Sequence, residues 1–468
     1  MALAVDCEGV HLGQDDMDIT SARTILGPDK IIGATVSSVE EARKAVQQGA
    51  DYLGIGTLYA TNTKRNTKDI IGINGIRKIL RYLGGADETS RNIKTVCIGG
   101  INASNIQRVL FQLYAPSGPS PPKTIDGVAL VSAIIGAQDV RRATSHLKDL
   151  IATPPPFATS RKDTTDTSDN SNIMEAIIPA IQAVHFKSPL SHNMTNLVVQ
   201  NLSANIALAV GASPIMSNNG AEAPDLAKLG GGLVINMGTA TPDALTNHRK
   251  AIEAYNAVGG PILLDPVGAG ATNARKEALA FLLASGYFDL IKGNEREIMA
   301  VARASGFLLD DASQQRGVDS GDSLFTIPQK AYIVSRIAAR ERNIILMTGA
   351  VDVISDGTRT LTIANGHKYL GMVTGSGCAL GTTISAYMAA NPEDKLSAAV
   401  AGILHYEVAA EKAAQRDDVK GPGTFIPAFI DELYLRRMDI VEGRLTWIHM
   451  SKFASVTDVF DDGLLKEA

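Results

Sequence analysis

The stretch from Val373 to Gly381 reads VTGSGCALG and leads into TTISAYMAA, which has a helical pattern. Glycines at Gly375 and Gly377 let a backbone approach a ligand closely and adopt positive φ. A loop feeding a helix start aims several unpaired N–H groups, and the positive end of the dipole, at one spot. Negative charge developing on a phosphoryl group would be stabilised there. Cys378 lies at or near the helix start, where a thiolate is favoured. It could take a proton from a substrate hydroxyl or orient that hydroxyl. A Gly-rich turn over a small buried cysteine fits the same residues.

Other strand-end residues fit the same chemistry. LLDPVGAGAT puts Asp265 at the end of an apolar run, where a carboxylate can hold Mg²⁺ or cap the next helix. IKGNEREI offers Lys292 for a phosphate and Glu297 for a metal, although such residues often simply face solvent. MTGAVDVISDG presents Thr348 and Gly349. Phosphoryl transfer needs charge neutralisation and in-line positioning more than covalent chemistry, and this set supplies both. In the first half, GVHLGQDD places Asp15 and Asp16 just past a strand end. Thr61, Thr63 and Lys64 bring two hydroxyls and an amine suited to a diphosphate. VCIGGIN and VALVS end two more strands with exposed N–H groups suited to a phosphate. Each of these, taken singly, also fits a helix cap or a turn.

These residues need elements to hold them. In the first half, VHLG precedes DITSARTILG and IIGATV precedes SVEEARKAVQQG, where Ser38 and Glu41 have capping-box spacing. YLGIGTLY precedes INGIRKILRYL, TVCIGGI precedes SNIQRVLFQLY, and GVALVSAI precedes DVRRATSHLKDLI. Five βα units in a row predict a parallel sheet, with Tyr114 to Thr124 as a surface loop. In the second half, TNLVVQNLSANIALAVG predicts a helix. LVINMG, PILLDP, FDLIKGN and IILMTG predict buried parallel strands. VDVISDG and TLTIANGH predict a two-stranded ribbon, and SAAVAGILHYEVAAEKAA a helical tail. The result is an open α/β sheet with helices on both faces, with ligands at the carboxyl ends of its strands. The segment TPPPFATSRKDTTDTSDNSN has no apolar periodicity and reads as a flexible linker. The expected division is therefore 1–152, linker 153–172, and 173–468.

A chain of 468 residues has room for two or three domains. Its net charge of -5, with both signs interspersed, argues against a nucleic-acid or anionic-membrane surface. No apolar run approaches the ~20 residues that span a bilayer. The first residues lack the basic start and apolar core of a signal peptide. Cys7, Cys97 and Cys378 lie far apart, with no CxxC pair for zinc or redox chemistry. A reducing, cytoplasmic setting is expected.

The blocks SPLSHNMTNLVVQNLSAN, GASPIM, LVINMGT, LLDPVGAGAT, KGNEREI, GVDS, MTGAVDVISDG, NGH, VTGSGC and GPGTF occur in that order. Over its whole length the second half resembles hydroxyethylthiazole kinase, one of the ribokinase-like kinases. The resemblance implies ATP as co-substrate and Mg²⁺. It implies that Asn196 and Met216 line a thiazole pocket with Gly375 nearby, and that Lys292 and Thr348 contact ATP phosphates beside Gly377. Asp265 and Glu297 would act through Mg²⁺. Cys378 would occupy the position where related sugar kinases carry an Asp base. Bacterial members usually have Arg where this chain has Lys292, so charge is kept and bidentate geometry lost. His192 is expected to be a structural hydrogen-bonding residue. A homo-oligomer, trimer or hexamer, with shared active sites is implied as well.

GVHLGQDD, IIGATV, GADYLGIG, TNTK, IGGIN and GVALVSAI likewise resemble thiamine-phosphate synthase, a TIM barrel. That family joins thiazole phosphate to an aminopyrimidine diphosphate and releases pyrophosphate. The resemblance implies Asp16 as one Mg²⁺ ligand. It implies Thr61, Thr63 and Lys64 at the diphosphate, Gly100, Val131 and Ser132 at the thiazole phosphate, and Ser37 on the pyrimidine side. Family barrels open with three further βα units carrying a Q-x-R-x-K and an N-D motif, and this chain starts at the fourth. The expectation is thus a partial TIM-type barrel of five units, which either joins thiazole phosphate to the pyrimidine diphosphate or has lost that activity and serves as a scaffold or phosphate-ligand module. The fused order resembles the fungal bifunctional thiamine-biosynthesis enzymes.

Overall fold

The computed structural model describes residues 4–59, 70–114, 123–158, 170–308, 324–457, 459 and 465–467. It divides into two compact units, Met1–Pro155 and Pro156–Ala468. No described helix is long and apolar enough to cross a membrane.

In the first unit, five strands form one sheet in chain order: β1 (Gly9–Leu12), β2 (Ile31–Val36), β3 (Tyr52–Ile55), β4 (Lys94–Ile98) and β5 (Gly127–Ala129). Every neighbouring pair is parallel. Helices Ile19–Leu26, Val39–Gln47, Gly72–Gly85, Ile106–Leu113 and Val140–Ala152 follow the strands, as the alternation predicts. The core is built from strand residues Ile32, Leu53, Ile55 and Cys97 with helix residues Ile76, Ile106 and Val109. The capping box at Ser38 is only half formed. The Ser38 hydroxyl accepts the Glu41 N–H, but the Glu41 carboxylate caps Ser37 N instead of Ser38 N. Most of the expected Tyr114–Thr124 loop, residues 115–122, lies outside the described residues.

The second unit holds a nine-stranded sheet. Its strands are β6 (Leu190–Met194), β7 (Ser213–Ile215), β8 (Gly232–Asn236), β9 (Ile262–Asp265), β10 (Leu290–Asn294), β12 (Ile344–Thr348), β13 (Asp352–Ser355), β14 (Thr360–Ile363) and β15 (Phe453–Ser455). A separate antiparallel pair joins β11 (Phe307–Leu308) to β16 (Lys466–Glu467). The order is β15-β14-β13-β12-β10-β9-β8-β6-β7. Pairing is parallel from β12 to β7 and antiparallel from β12 outward to β15. The expected two-stranded ribbon is therefore part of the main sheet. Alternate side chains enter opposite cores, as strand geometry requires. Val234, Leu263, Leu290 and Leu346 pack under helices Gln200–Val210, Ser376–Ala390, Lys395–Ala414 and Pro422–Val441. Leu233, Ile235, Leu264, Ile291 and Ile345 pack under Pro242–Val258, Asn273–Ser285, Glu295–Ala304 and Ile327–Glu341. Helices thus cover both faces.

Two expectations need correction. The helix read from TNLVVQ begins only at Gln200. Residues 195–199 form a loop in which Leu197 and Val198 are 73% and 75% exposed. The linker also contains ordered ends. Thr153 N–H closes the helix before it, and Phe157 is buried, stacked on Tyr287 with ring centroids 4.6 Å apart. Asn170 already begins helix Asn170–Lys187, and residues 159–169 lie outside the described residues.

Candidate functional site

Parallel pairing brings the carboxyl ends of β6, β8, β9 and β10 side by side, and a polar chain crosses them. Asn236 ends β8 directly opposite Asp265, which ends β9. The Asn236 amide donates to Asp265 Oδ2 at 3.0 Å. Its carbonyl accepts from Gly238 N at 2.9 Å and from Asn196 Nδ2 at 3.0 Å. Asn196 lies two residues past β6 and also reaches Cys378 Sγ at 3.8 Å. On the other side, Lys292 Nζ pairs with Asp265 Oδ1 at 2.9 Å, the two side chains being 4% and 2% exposed. The backbone at Gly238 must be glycine for this approach. A Cβ there would stand 2.9 Å from Asn196 Cβ.

The loop before helix Ser376–Ala390 delivers Cys378. Gly375 is its N-cap at φ +90°, and a Cβ there would meet Val199 Cγ2 at 2.7 Å. Gly377 does not share that conformation: it is helical and faces open space, so positive φ is needed at one glycine of the pair, not both. The expected thiolate is also corrected. Burial and then the neighbouring Asp265 charge push the Cys378 thiol up to about 12, outweighing Lys292 and the Asn236 side chain. Cys378 is a neutral thiol at pH 7.

Glu297 caps its own helix instead of facing solvent. Its carboxylate accepts Gly268 N–H at 2.8 Å and Asn294 N–H at 2.9 Å, and Asn294 Oδ1 accepts Glu297 N–H at 3.0 Å. Burial, then the Asp265 charge, raise its pKa from 4.5 to about 7. Burial opposes the Lys292 ammonium, but Asp265, Cys378 and Glu297 outweigh it and its pKa is raised. Two carboxyl groups, Asp265 and Glu297, therefore face one ammonium, with the Cys378 thiol beside them. Among the described residues no group of three or more His, Cys, Asp or Glu could hold a metal ion. A divalent ion would need most of its ligands from substrate phosphate and water, the usual arrangement for Mg²⁺. The charge imbalance fits such an ion.

Thr348 ends β12 beside Asn294, and the Gly349 N–H that follows is held by Asp352 Oδ1 at 2.9 Å. Met216 lies half-buried just past β7. Beside it, His192, fully buried, bonds through Nε2 to the Ser217 carbonyl at 2.9 Å, the structural role expected of it. Asn236, the centre of the chain, was not predicted.

In the first unit, Asp16 and Ser37 follow the paired strands β1 and β2, and the Gln14 amide donates to Ser37 Oγ at 2.9 Å and to Glu41 Oε2 at 2.8 Å. Asp16 is exposed and accepts the Gly13 N–H at 2.6 Å, closing its own turn. Gly100, at φ +67°, follows β4, and Val131 and Ser132 follow the adjacent β5. Thr61, Thr63 and Lys64 lie outside the described residues.

Residues 181–437 match the hydroxyethylthiazole kinase family and residues 1–134 match thiamine monophosphate synthase. The chain is 42% identical over 458 residues to the probable thiamine biosynthetic bifunctional enzyme of Schizosaccharomyces pombe, across 97% of this chain and 84% of that protein. It is 35% identical to the thiamine biosynthetic bifunctional enzyme of Saccharomyces cerevisiae, across 93% and 82%. Among solved structures, a hydroxyethylthiazole kinase protein from Pyrococcus horikoshii OT3 superposes with a TM-score of 0.51 at 34% identity, covering 60% of this chain and 99% of that one.

Proposed function

Because the chain belongs to the family of thiamine biosynthetic bifunctional enzymes, with a hydroxyethylthiazole kinase unit and a thiamine monophosphate synthase unit, we propose that residues 173–468 phosphorylate 5-(2-hydroxyethyl)-4-methylthiazole with ATP. The observation that carries this reading is the polar chain Cys378–Asn196–Asn236–Asp265–Lys292 at the strand ends, beside the Gly375 helix start. Asn196 and Met216 bind the thiazole. The Cys378 thiol orients the hydroxyl for attack; as the new O–P bond forms, the bond to the departing ADP oxygen breaks, and the hydroxyl proton passes to the transferred phosphoryl group. Lys292, Thr348 and the helix start at Ser376–Gly377 stabilise the charge of the transferring group. Asp265 and Glu297 would hold Mg²⁺, which supplies further neutralisation of the phosphates. The test is product mass: purified chain with ATP and the thiazole should yield thiazole phosphate and ADP. No product under conditions where nucleotide binds would refute it.

For the first unit we propose a five-unit portion of a TIM-type barrel that holds the thiazole phosphate at Gly100, Val131 and Ser132. Asp16, with Thr61, Thr63 and Lys64, would then serve Mg²⁺ and the pyrimidine diphosphate, joining the two to thiamine phosphate. A second reading, a scaffold that binds phosphate ligands without condensation, is favoured by the turn-closing bond of Asp16. Titration calorimetry with the pyrimidine diphosphate separates them, because a working synthase must bind it. We further propose a cytoplasmic homo-oligomer, trimer or hexamer, supported by the exposed apolar Leu197 and Val198 beside Asn196. Light scattering would measure the assembly.

A further inference from the structure

At the Thr348 end of the second sheet, two buried acids face one another. Asp352 opens β13 and is 3% exposed, and Glu407, on helix Lys395–Ala414, is 7% exposed. Asp352 Oδ1 holds the Gly349 N–H and so fixes the turn that follows Thr348. No N–H or O–H elsewhere among the described residues reaches Asp352 Oδ2 or Glu407 Oε2. The two acids act on each other: Glu407 holds the Asp352 carboxyl down against its burial, and Asp352 pushes Glu407 up. Two ionised carboxylates would repel at such a contact, whereas a single proton between them makes it attractive.

Among the described residues, no cation is dedicated to the pair. Lys330 faces Asp352 from helix Ile327–Glu341, but its amine is already bound by Glu295 at 2.6 Å. Lys292 faces it from β10 and is paired with Asp265. Glu411, one turn along from Glu407, adds negative charge and is itself held by Lys452 and Asn365, each at 3.1 Å. Burial raises both acids, Asp352 to about 6 and Glu407 well above the usual carboxylate range.

We propose that Asp352 and Glu407 share one proton and act as a positioning pair that holds the Thr348–Gly349 turn for the phosphates of the nucleotide. This rests on the reading of Thr348 as a phosphate contact. While the proton is in place, one negative charge lies behind the turn. Its loss puts a second charge behind an anion site and pushes the two side chains apart. Nucleotide affinity should therefore fall as pH rises above neutrality, while thiazole affinity stays level.

The experiment titrates the full chain with a non-hydrolysable ATP analogue, and separately with the thiazole, by calorimetry from pH 6 to 9. E407Q keeps a donor toward Asp352 but cannot ionise, so it should flatten the alkaline loss of nucleotide affinity. E407L removes the donor and should weaken nucleotide binding roughly tenfold at pH 7, about the value of one charge-assisted hydrogen bond. Should E407L fail to fold, the E407Q profile decides alone. The pair is overturned if E407Q follows the parent profile at every pH, or if thiazole affinity shifts as much as nucleotide affinity. T348A is read separately: unchanged nucleotide affinity there refutes the phosphate contact, whatever E407Q does. Turnover of the parent chain reports on the kinase reading independently of both.

Discussion

Replacing Lys292 with methionine keeps the length of the side chain and deletes its ammonium. The pair it breaks lies deep, with Nζ 2.9 Å from Asp265 Oδ1 and both side chains under 5% exposed. Asp265 would keep only the Asn236 amide, with Glu297 and Cys378 still close enough to feel its charge. Removing one partner of such a pair costs about 3–5 kcal/mol, because the other charge stays buried. D265N strands the ammonium and should cost a similar amount. The double variant D265N/K292M buries no charge at this point, so its loss should fall short of the sum by about 0.5–3 kcal/mol. Trp447 makes the measurement clean. It is the single tryptophan of the chain, lies in the second unit and is 1% exposed, so its fluorescence reports the unfolding of that unit in urea. Turnover by K292M should drop by about a hundredfold or more, as when a preorganised charge contact is lost. A K292M stability within about 1 kcal/mol of the parent, or strictly additive losses, would refute the coupling of Lys292 to Asp265.

Other outcomes follow from the same geometry. Cys378 and Cys97, both pushed up to about 12, should resist iodoacetamide at pH 7 and react faster as pH rises; rapid labelling of Cys378 by mass spectrometry at pH 7 would contradict this. Glu297 holds a proton in the folded unit that the unfolded chain has released between pH 4.5 and about 7. Folding therefore loses stability as pH climbs through that window, by linkage, while kcat gains from the ionised carboxylate. E297Q should flatten both trends, and a parent-like kcat profile in E297Q would remove Glu297 from the proposed Mg²⁺ role. G375A should lose stability by at least about 1–2 kcal/mol, since alanine at φ +90° is strained and its Cβ strikes Val199; an unchanged Trp447 unfolding curve would argue against that loop conformation.

The strands were legible because apolar runs bounded by Gly and Pro leave little choice, and the two-face alternation at Leu233, Val234 and Ile235 agrees with them. The loop at 195–199 was not, because Leu197 and Val198 carry a helical apolar pattern yet face outward. Asn236 was missed for a different reason. Its role depends on register, Asn236 opposite Asp265 across two strands, and nothing local marks a polar residue at a strand end as a bridge. The sequence did mark Glu297: Asn294 three residues before it is a capping-box signature, and recognising it would have predicted a buried, backbone-bonded carboxylate. At Cys378 the helix-start reasoning left out burial and the Asp265 carboxylate, neither of which is visible locally and both of which raise the thiol.

The polar chain at the strand ends draws its members from residues 196, 236, 265, 292 and 378, so no short stretch of the polypeptide contains two of them. Such contacts close late in folding, since their loop entropy must be offset by the sheet first. Thiazole or nucleotide binding is then a probe of the last step of assembly, open only to molecules whose whole second sheet is in register. A ligand held there adds its binding free energy to the stability of the entire unit, by about 2.7 kcal/mol at a hundred times its Kd. In a cell, supply of the substrate would set how much of this chain survives proteolysis as well as how fast it turns over.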